Sequence, residues 1–292
     1  MKSSIFASSV LASLSLFPLS VLGTNHFFGV NAANSIGNNG VYTCRTQAQW
    51  NQVANDARGV GMQSIRVIGF DCNALDLASS AAAAAGITVL AGIYVSGTIA
   101  AGITQINNDV QTFRAAVAKY GVGRYAGLTV GNEVADSATN IMNKVYDVRG
   151  YLQNSVGINV PVSTVHNWVF IRDNPIMCTG DFAGANAHAF FDGTPSSNAN
   201  NFMLNTVLPT IRSVCPGKSI FITESGWPSR GGSIGNSVAS VGDELTALQG
   251  LNCAAQSVTM YASEYDDQLW KANDNERSFG MWVKIQGFAS SC

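Results

Sequence analysis

Five glutamates occur in the 292 residues, and three of them close apolar, β-branched runs. Glu133 ends AGLTVGNE (126–133), Glu224 stands in SIFITES (219–225), and Glu264 stands in SVTMYASEY (257–265). Two carboxylates held rigidly across a cleft can break a glycosidic bond. One protonates the leaving oxygen, and the other attacks the anomeric carbon or activates water. The neighbours fit sugar chemistry. Asn132 directly precedes Glu133 and offers an amide to a hydroxyl. Trp227 follows Glu224 by three residues and offers a flat ring for the C–H face of a sugar. Taken singly, each glutamate is more readily a solvated strand end or half of an ion pair. Their shared position and their company argue for chemistry.

Other residues sit at comparable places. Glu264, with Lys271 downstream, either tunes the charge of a nucleophile or forms a structural ion pair. Tyr94 closes the third apolar run and Trp168 the fifth, so each is a candidate sugar contact. His188 lies in the sixth run between alanines, as a substrate contact or a hydrogen-bonded core histidine. Asp71 adjoins Cys72 and either faces the site or fixes a loop.

The elements that must position these residues follow from periodicity. Eight apolar runs are predicted as strands: 27–31, 64–70, 87–95, 126–133, 159–168, 182–191, 219–225 and 257–265. Amphipathic segments at 46–59, 74–85, 106–119, 138–156, 201–214 and 238–254 are predicted as helices. Strands alternating with helices over this length predict an α/β fold of a single domain, a (β/α)8 TIM barrel. An open doubly wound sheet is the alternative. The barrel is favoured because Asp71, Asn132, Glu133, His188, Glu224 and Glu264 all fall at C-terminal strand ends. A barrel gathers those ends at one mouth.

The N-terminus carries Lys2 and then a mostly apolar stretch to Leu22, with small residues before Gly23. It reads as a secretory signal peptide spanning 1–23, leaving a catalytic domain at 24–292. No second apolar segment of spanning length occurs, so no membrane association is expected after cleavage. An even set of six cysteines (Cys44, Cys72, Cys178, Cys215, Cys253, Cys292) in a secreted chain favours three disulfides. Six cysteines allow fifteen pairings, and the sequential one is expected. Three histidines and no C-x-x-C spacing leave no metal site to propose. Charged residues are only 12% of the chain and the net charge is −2, which excludes a basic nucleic-acid surface. GVGRYA (121–126) precedes rather than follows a strand, so it is no dinucleotide loop. CPGKS (215–219) lacks the upstream glycine of a phosphate loop, because position 212 is arginine. No cofactor is expected, and a monomer is the default.

GLTVGNEV (127–134), GANAHAFFDGT (184–194), FITESGWPSRG (221–231) and YDDQLWKANDNERSFGMW (265–282) together resemble glycoside hydrolase family 17. The likeness is to its fungal branch of secreted cell-wall glucanases and cell-surface mannoproteins. It spans essentially the whole mature chain. It implies a TIM barrel and retaining cleavage of β-1,3-glucan and laminari-oligosaccharides. Endo action is expected, with exo action and transglycosylation left open. It also implies secretion to the extracellular space and fungal cell wall. By position, Glu133 matches the family's acid/base and Glu224 its nucleophile. Retention requires the carboxyl groups about 5–5.5 Å apart, whereas inversion needs about 6.5–9.5 Å. A non-catalytic, glucan-binding structural wall protein is the rival from another class.

Overall fold

Residues 64–68, Ser-Ile-Arg-Val-Ile, show how the strands work. Ile65 and Val67 are fully buried among the helices, while Ser64 and Arg66 point the other way. That alternation is the two-residue period of a strand with two different faces. The computed structural model describes residues 25–282 and Cys292. The expected signal peptide lies outside the described residues.

Eight strands form a closed parallel barrel in sequence order. They are β1 (Gly29–Asn31), β2 (Ser64–Ile68), β3 (Thr88–Ile93), β4 (Tyr125–Asn132), β5 (Val162–Asn167), β6 (Ala183–Asn186), β7 (Ile220–Ser225) and β8 (Thr259–Ala262). Each falls within or beside a predicted run. The helices are α1 (Gln47–Gly59), α2 (Ala74–Ala85), α3 (Ile99–Tyr120), α4 (Ala138–Gly150), α5 (Trp168–Asp173), α6 (Ala199–Phe202), α7 (Leu208–Val214) and α8 (Val241–Ala254). Helix starts are set by side chains that satisfy free backbone N–H groups. Thr46 and Gln49 form a reciprocal capping box on α1, and Thr98, Ser137 and Ser240 cap α3, α4 and α8. With Thr98 as its cap, α3 starts at Ile99, seven residues ahead of the predicted Ile106.

Two predicted helices are interrupted. The 201–214 segment divides into α6, a π-type turn over Met203–Val207, and α7. Pro209 lacks the N–H that would continue the ladder, so the turn before it widens. The 138–156 segment ends its regular part at Gly150 and closes with a π-type turn over Tyr151–Ser155.

Apolar packing has two parts. One large cluster fills the space between strands and helices. A second, inside the barrel, joins Leu90, Phe182 and Tyr261, with Phe28 and Phe221 against them. Glycines make room for these rings. A Cβ on Gly29 would stand 2.7 Å from the Tyr261 ring, and one on Gly127 would stand 3.2 Å from Phe182. Three disulfides staple the surface: Cys44–Cys72, Cys178–Cys215 and Cys253–Cys292. This is the sequential pairing. No helix among the described residues is long and apolar enough to cross a membrane.

Candidate active site

Both glutamate-bearing strands carry an extra residue where the carboxylate leaves the sheet. Between β4 and β5, Thr129 pairs with Ser163 but Asn132 pairs with Val165. Between β7 and β8, Ile222 pairs with Met260 but Ser225 pairs with Ala262. Such bulges bend a strand and re-aim its side chains. Beyond the β4 bulge, Glu133 adopts a left-handed backbone (φ 51°), which is costly for a residue with a Cβ. Its N–H bonds to Val165 O at 2.9 Å. The sequence thus accepts local strain to turn this carboxylate into the mouth.

Below the carboxylates lies a guanidinium. Arg66, from the middle of β2, is fully buried. Its Nη1 donates to Glu224 Oε1 at 2.7 Å and to Thr223 O at 3.2 Å, and its Nη2 donates to Asn132 Oδ1 at 2.7 Å. Asn186, the last residue of β6, donates to Glu133 Oε1 at 2.9 Å and to Asn132 Oδ1 at 3.2 Å. Thr223 donates to Asn186 Oδ1 at 2.8 Å and so fixes the orientation of that amide. His188 Nε2 stands 3.5 Å from Glu224 Oε2. Lys271 Nζ bonds Glu264 Oε1 at 3.0 Å and approaches Glu276 Oε2 at 3.5 Å.

These surroundings push the two main carboxylates apart. Burial raises Glu133 above the usual carboxylate range, and the nearby charge of Glu224 raises it further. Burial also works to raise Glu224. The His188 hydrogen bond and the Arg66 charge outweigh it and bring Glu224 down to about 2. One group is set to hold a proton and the other to stay ionised, the division of labour that general acid and nucleophile require. Burial raises Glu264 as well, against the pull of Lys271. Burial opposes the Lys271 charge, but Glu264 prevails and its ammonium binds its proton more tightly than usual.

A cavity of about 860 Å³ opens over this arrangement. Asn132, Glu133, His188, Glu224, Glu264, Lys271, Tyr94 and Asp71 all line it. No cluster of three or more His, Cys, Asp or Glu that could hold a metal ion occurs among the described residues.

A family model for the BtgE/BtgC glycoside hydrolase domain matches residues 33–281. The chain belongs to that family. Among curated relatives, cell surface mannoprotein MP65 of Candida albicans is 29% identical over 246 residues, covering 82% of this chain and 62% of the relative. Probable family 17 glucosidase SCW10 of Saccharomyces cerevisiae is 28% identical over 237 residues, covering 78% and 58%. This BtgE/BtgC chain therefore spans less than two thirds of those relatives' lengths. Among solved structures, a glycoside hydrolase family 17 β-1,3-glucanosyltransferase from Rhizomucor miehei superposes with a TM-score of 0.74 at 23% identity, covering 89% of this chain and 94% of the other. An active-site mutant of that enzyme, in complex with laminaritriose, also scores 0.74, at 22% identity. Both likenesses bear on the fold.

Two tryptophans expected to face sugar in this BtgE/BtgC domain do not line the cavity. Trp227 is fully buried, donates its indole N–H to Val238 O at 2.9 Å, and meets Phe190 edge to face. The cause lies one residue earlier. The backbone at Gly226 presses on the segment just after β8 so closely that a Cβ would stand 1.8 Å from Ser263 O. The chain then drives the next side chain into the core. Trp168 begins α5 rather than ending β5, and its indole bonds Asp192 at 3.2 Å beside Phe202. Here Asn167 caps the helix through Phe170 N and ends the strand one residue early. His188 lies beyond β6, which stops at Asn186. The sequence reading missed Arg66, Asn186 and Thr223. Arg66 carried a signal, being the one charge inside an otherwise apolar run.

Proposed function

We propose that this chain is a retaining glycosidase of β-1,3-glucan that works by double displacement. Two carboxylates in one cleft, Glu133 set to hold a proton and Glu224 to stay ionised, carry the glycosidase reading. The resemblance to family 17 supports double displacement, since an inverting enzyme would need the same pair of protonation states. In the first step a Glu224 oxygen attacks the anomeric carbon. The glycosidic bond breaks, and the Glu133 proton passes to the leaving oxygen. In the second step Glu133, now a carboxylate, takes a proton from the incoming hydroxyl. That oxygen bonds to the anomeric carbon and frees Glu224. When the hydroxyl belongs to water the result is hydrolysis, and when it belongs to a sugar the result is transglycosylation. Asn132 is held by Arg66 and Asn186 beside both carboxylates, placed to bond a sugar hydroxyl.

The β-1,3 linkage is supported by the relatives named as family 17 glucosidases and by the laminaritriose complex of the Rhizomucor enzyme. Endo action is supported by a cleft that continues beyond the catalytic pair. Three disulfides and a cell-surface relative support secretion and work at a fungal wall.

End-labelled laminari-oligosaccharides test the proposal. Wild type should give new chain lengths, and Glu224→Gln should give none. Proton NMR of the first product should show the β-anomer before mutarotation. An initial α-anomer would replace retention with inversion. Bound glucan without turnover would leave a structural wall protein.

A further inference from the structure

The register shift between β7 and β8 also affects a carbonyl. Thr223 and Glu224 fall between the paired residues Ile222 and Ser225, out of step with β8. A buried carbonyl needs a donor, and here side chains of β1 and β2 supply it. Asn31 Nδ2 donates to Thr223 O at 3.0 Å, and Arg66 Nη1 donates to it at 3.2 Å. That oxygen belongs to the peptide bond that carries the Glu224 nitrogen.

Asn31 is the last residue of β1 and pairs with Arg66 in the β1–β2 register. It is 2% exposed and lines the cavity. Its backbone is tied down too, because Asn31 O accepts Tyr265 N at 2.8 Å. Its Oδ1 finds no hydrogen-bond partner among the described residues. The Thr223 carbonyl therefore decides which way the amide faces. Turning the amide over would set oxygen against oxygen and leave that carbonyl to Arg66 alone.

Arg66 Nη1 serves a second acceptor, Glu224 Oε1, at 2.7 Å. One nitrogen thus answers a carbonyl and a carboxylate on neighbouring residues, and Asn31 carries part of the first demand. We infer that Asn31 is a positioning residue for Glu224: it holds the Thr223–Glu224 peptide and so keeps Arg66 aligned on the carboxylate. The inference rests on the activity proposed above.

Asn31→Leu tests it. Leucine has a similar size and no donor, while Arg66 still serves the Thr223 carbonyl, so the fold should hold. A dinitrophenyl β-laminaritrioside needs little help from a general acid, so its kcat/KM reads the attack by Glu224. In Asn31→Leu that value should fall about tenfold. The acidic limb of its pH profile should move to higher pH, because Glu224 loses part of the Arg66 contact that keeps it ionised. A fall in rate with an unmoved acidic limb, or no fall, overturns the inference. Should Asn31→Leu not fold, Asn31→Ala removes the donor without bulk and is judged by the same two readouts. If wild type cleaves no donor, the proposed activity fails instead. Carbon-13 NMR of the Glu224 carboxyl needs no turnover and then decides Asn31 separately. A titration moved upward in the variant upholds the positioning role, and an unchanged titration removes it.

Discussion

Strand β2 crosses two different interiors within five residues. At its start, Ser64 accepts the Tyr261 hydroxyl at 3.0 Å beside a plug of Leu90, Phe182 and Tyr261. Two residues on, Arg66 enters a lattice of amides, hydroxyls and carboxylates. The apolar half gains stability from rings packed against glycines. The polar half gives some of that back. Arg66 is fully buried and its Nε finds no hydrogen-bond partner among the described residues, a cost of about 1–3 kcal/mol. In return, donors and charge already stand where the proposed reaction would develop charge, so little rearrangement would be needed at that moment. The same sheet thus assigns stability to one end of its axis and reactivity to the other.

That division is most sharply tested at Glu224. Glu224→Gln keeps an oxygen for Arg66 but removes the proposed nucleophile. Turnover should fall by about 10⁴-fold or more while the protein still folds. Phe182→Ala should do the reverse. The ring is 1% exposed, stacks on Phe221 and fills the plug, so its loss should cost about 3–5 kcal/mol in urea unfolding. The kcat of the protein that remains folded should stay near wild type. If Phe182→Ala lowered kcat as steeply as stability, the two halves would not be separable.

Acid separates the halves in another way. Glu224 is lowered from 4.5 to about 2 in the folded protein. A carboxyl with a depressed folded value adds stability above its unfolded value, and that stability is lost as pH falls through the folded one. Wild type should therefore exceed Glu224→Gln in stability by up to about 3 kcal/mol at neutral pH. The gap should close between pH 4.5 and about 2. Phe182→Ala should show a gap with no such pH dependence. Activity has its own window. Glu224 must be ionised and Glu133 protonated, so the alkaline limb of the rate profile should lie above the usual carboxylate range.

The apolar half was the more legible one. Runs such as ITVLAGIYV and SIFITES predicted all eight strands, because a parallel barrel buries both faces of its sheet. The two glutamates proposed for catalysis were legible by their shared position: singly each could be a solvated strand end, but together they closed strands that a barrel gathers at one mouth. Arg66 was hidden inside the pattern that revealed its strand. Its purpose depends on residues 66 and 158 positions away, Asn132 and Glu224. Trp227 and Trp168 misled because proximity to a strand end does not fix which way a side chain turns. The close approach at Gly226 and the cap at Asn167 decided that, and both depend on partners distant in sequence or on a local choice of turn.

The finest test compares two hydroxyls, one from each half. Tyr261 donates to Ser64, and Thr223 donates to Asn186. Both bonds are buried, so Tyr261→Phe and Thr223→Val should each cost about 1 kcal/mol of stability. Their effects on the rate profile should differ. Tyr261→Phe leaves the carboxylates as they were. Thr223→Val releases the amide of Asn186, which now presents its nitrogen to Glu133 and helps hold that carboxyl down. Once free to turn, the amide can present its oxygen and accept the acid's proton instead. Either loss favours protonated Glu133, so the alkaline limb should move to higher pH in Thr223→Val alone. Equal profiles in the two variants would mean that the polar half does not fix the acid through Asn186. A shift in the opposite direction would mean that the Thr223 hydroxyl acts on Glu133 by a route other than the orientation of that amide.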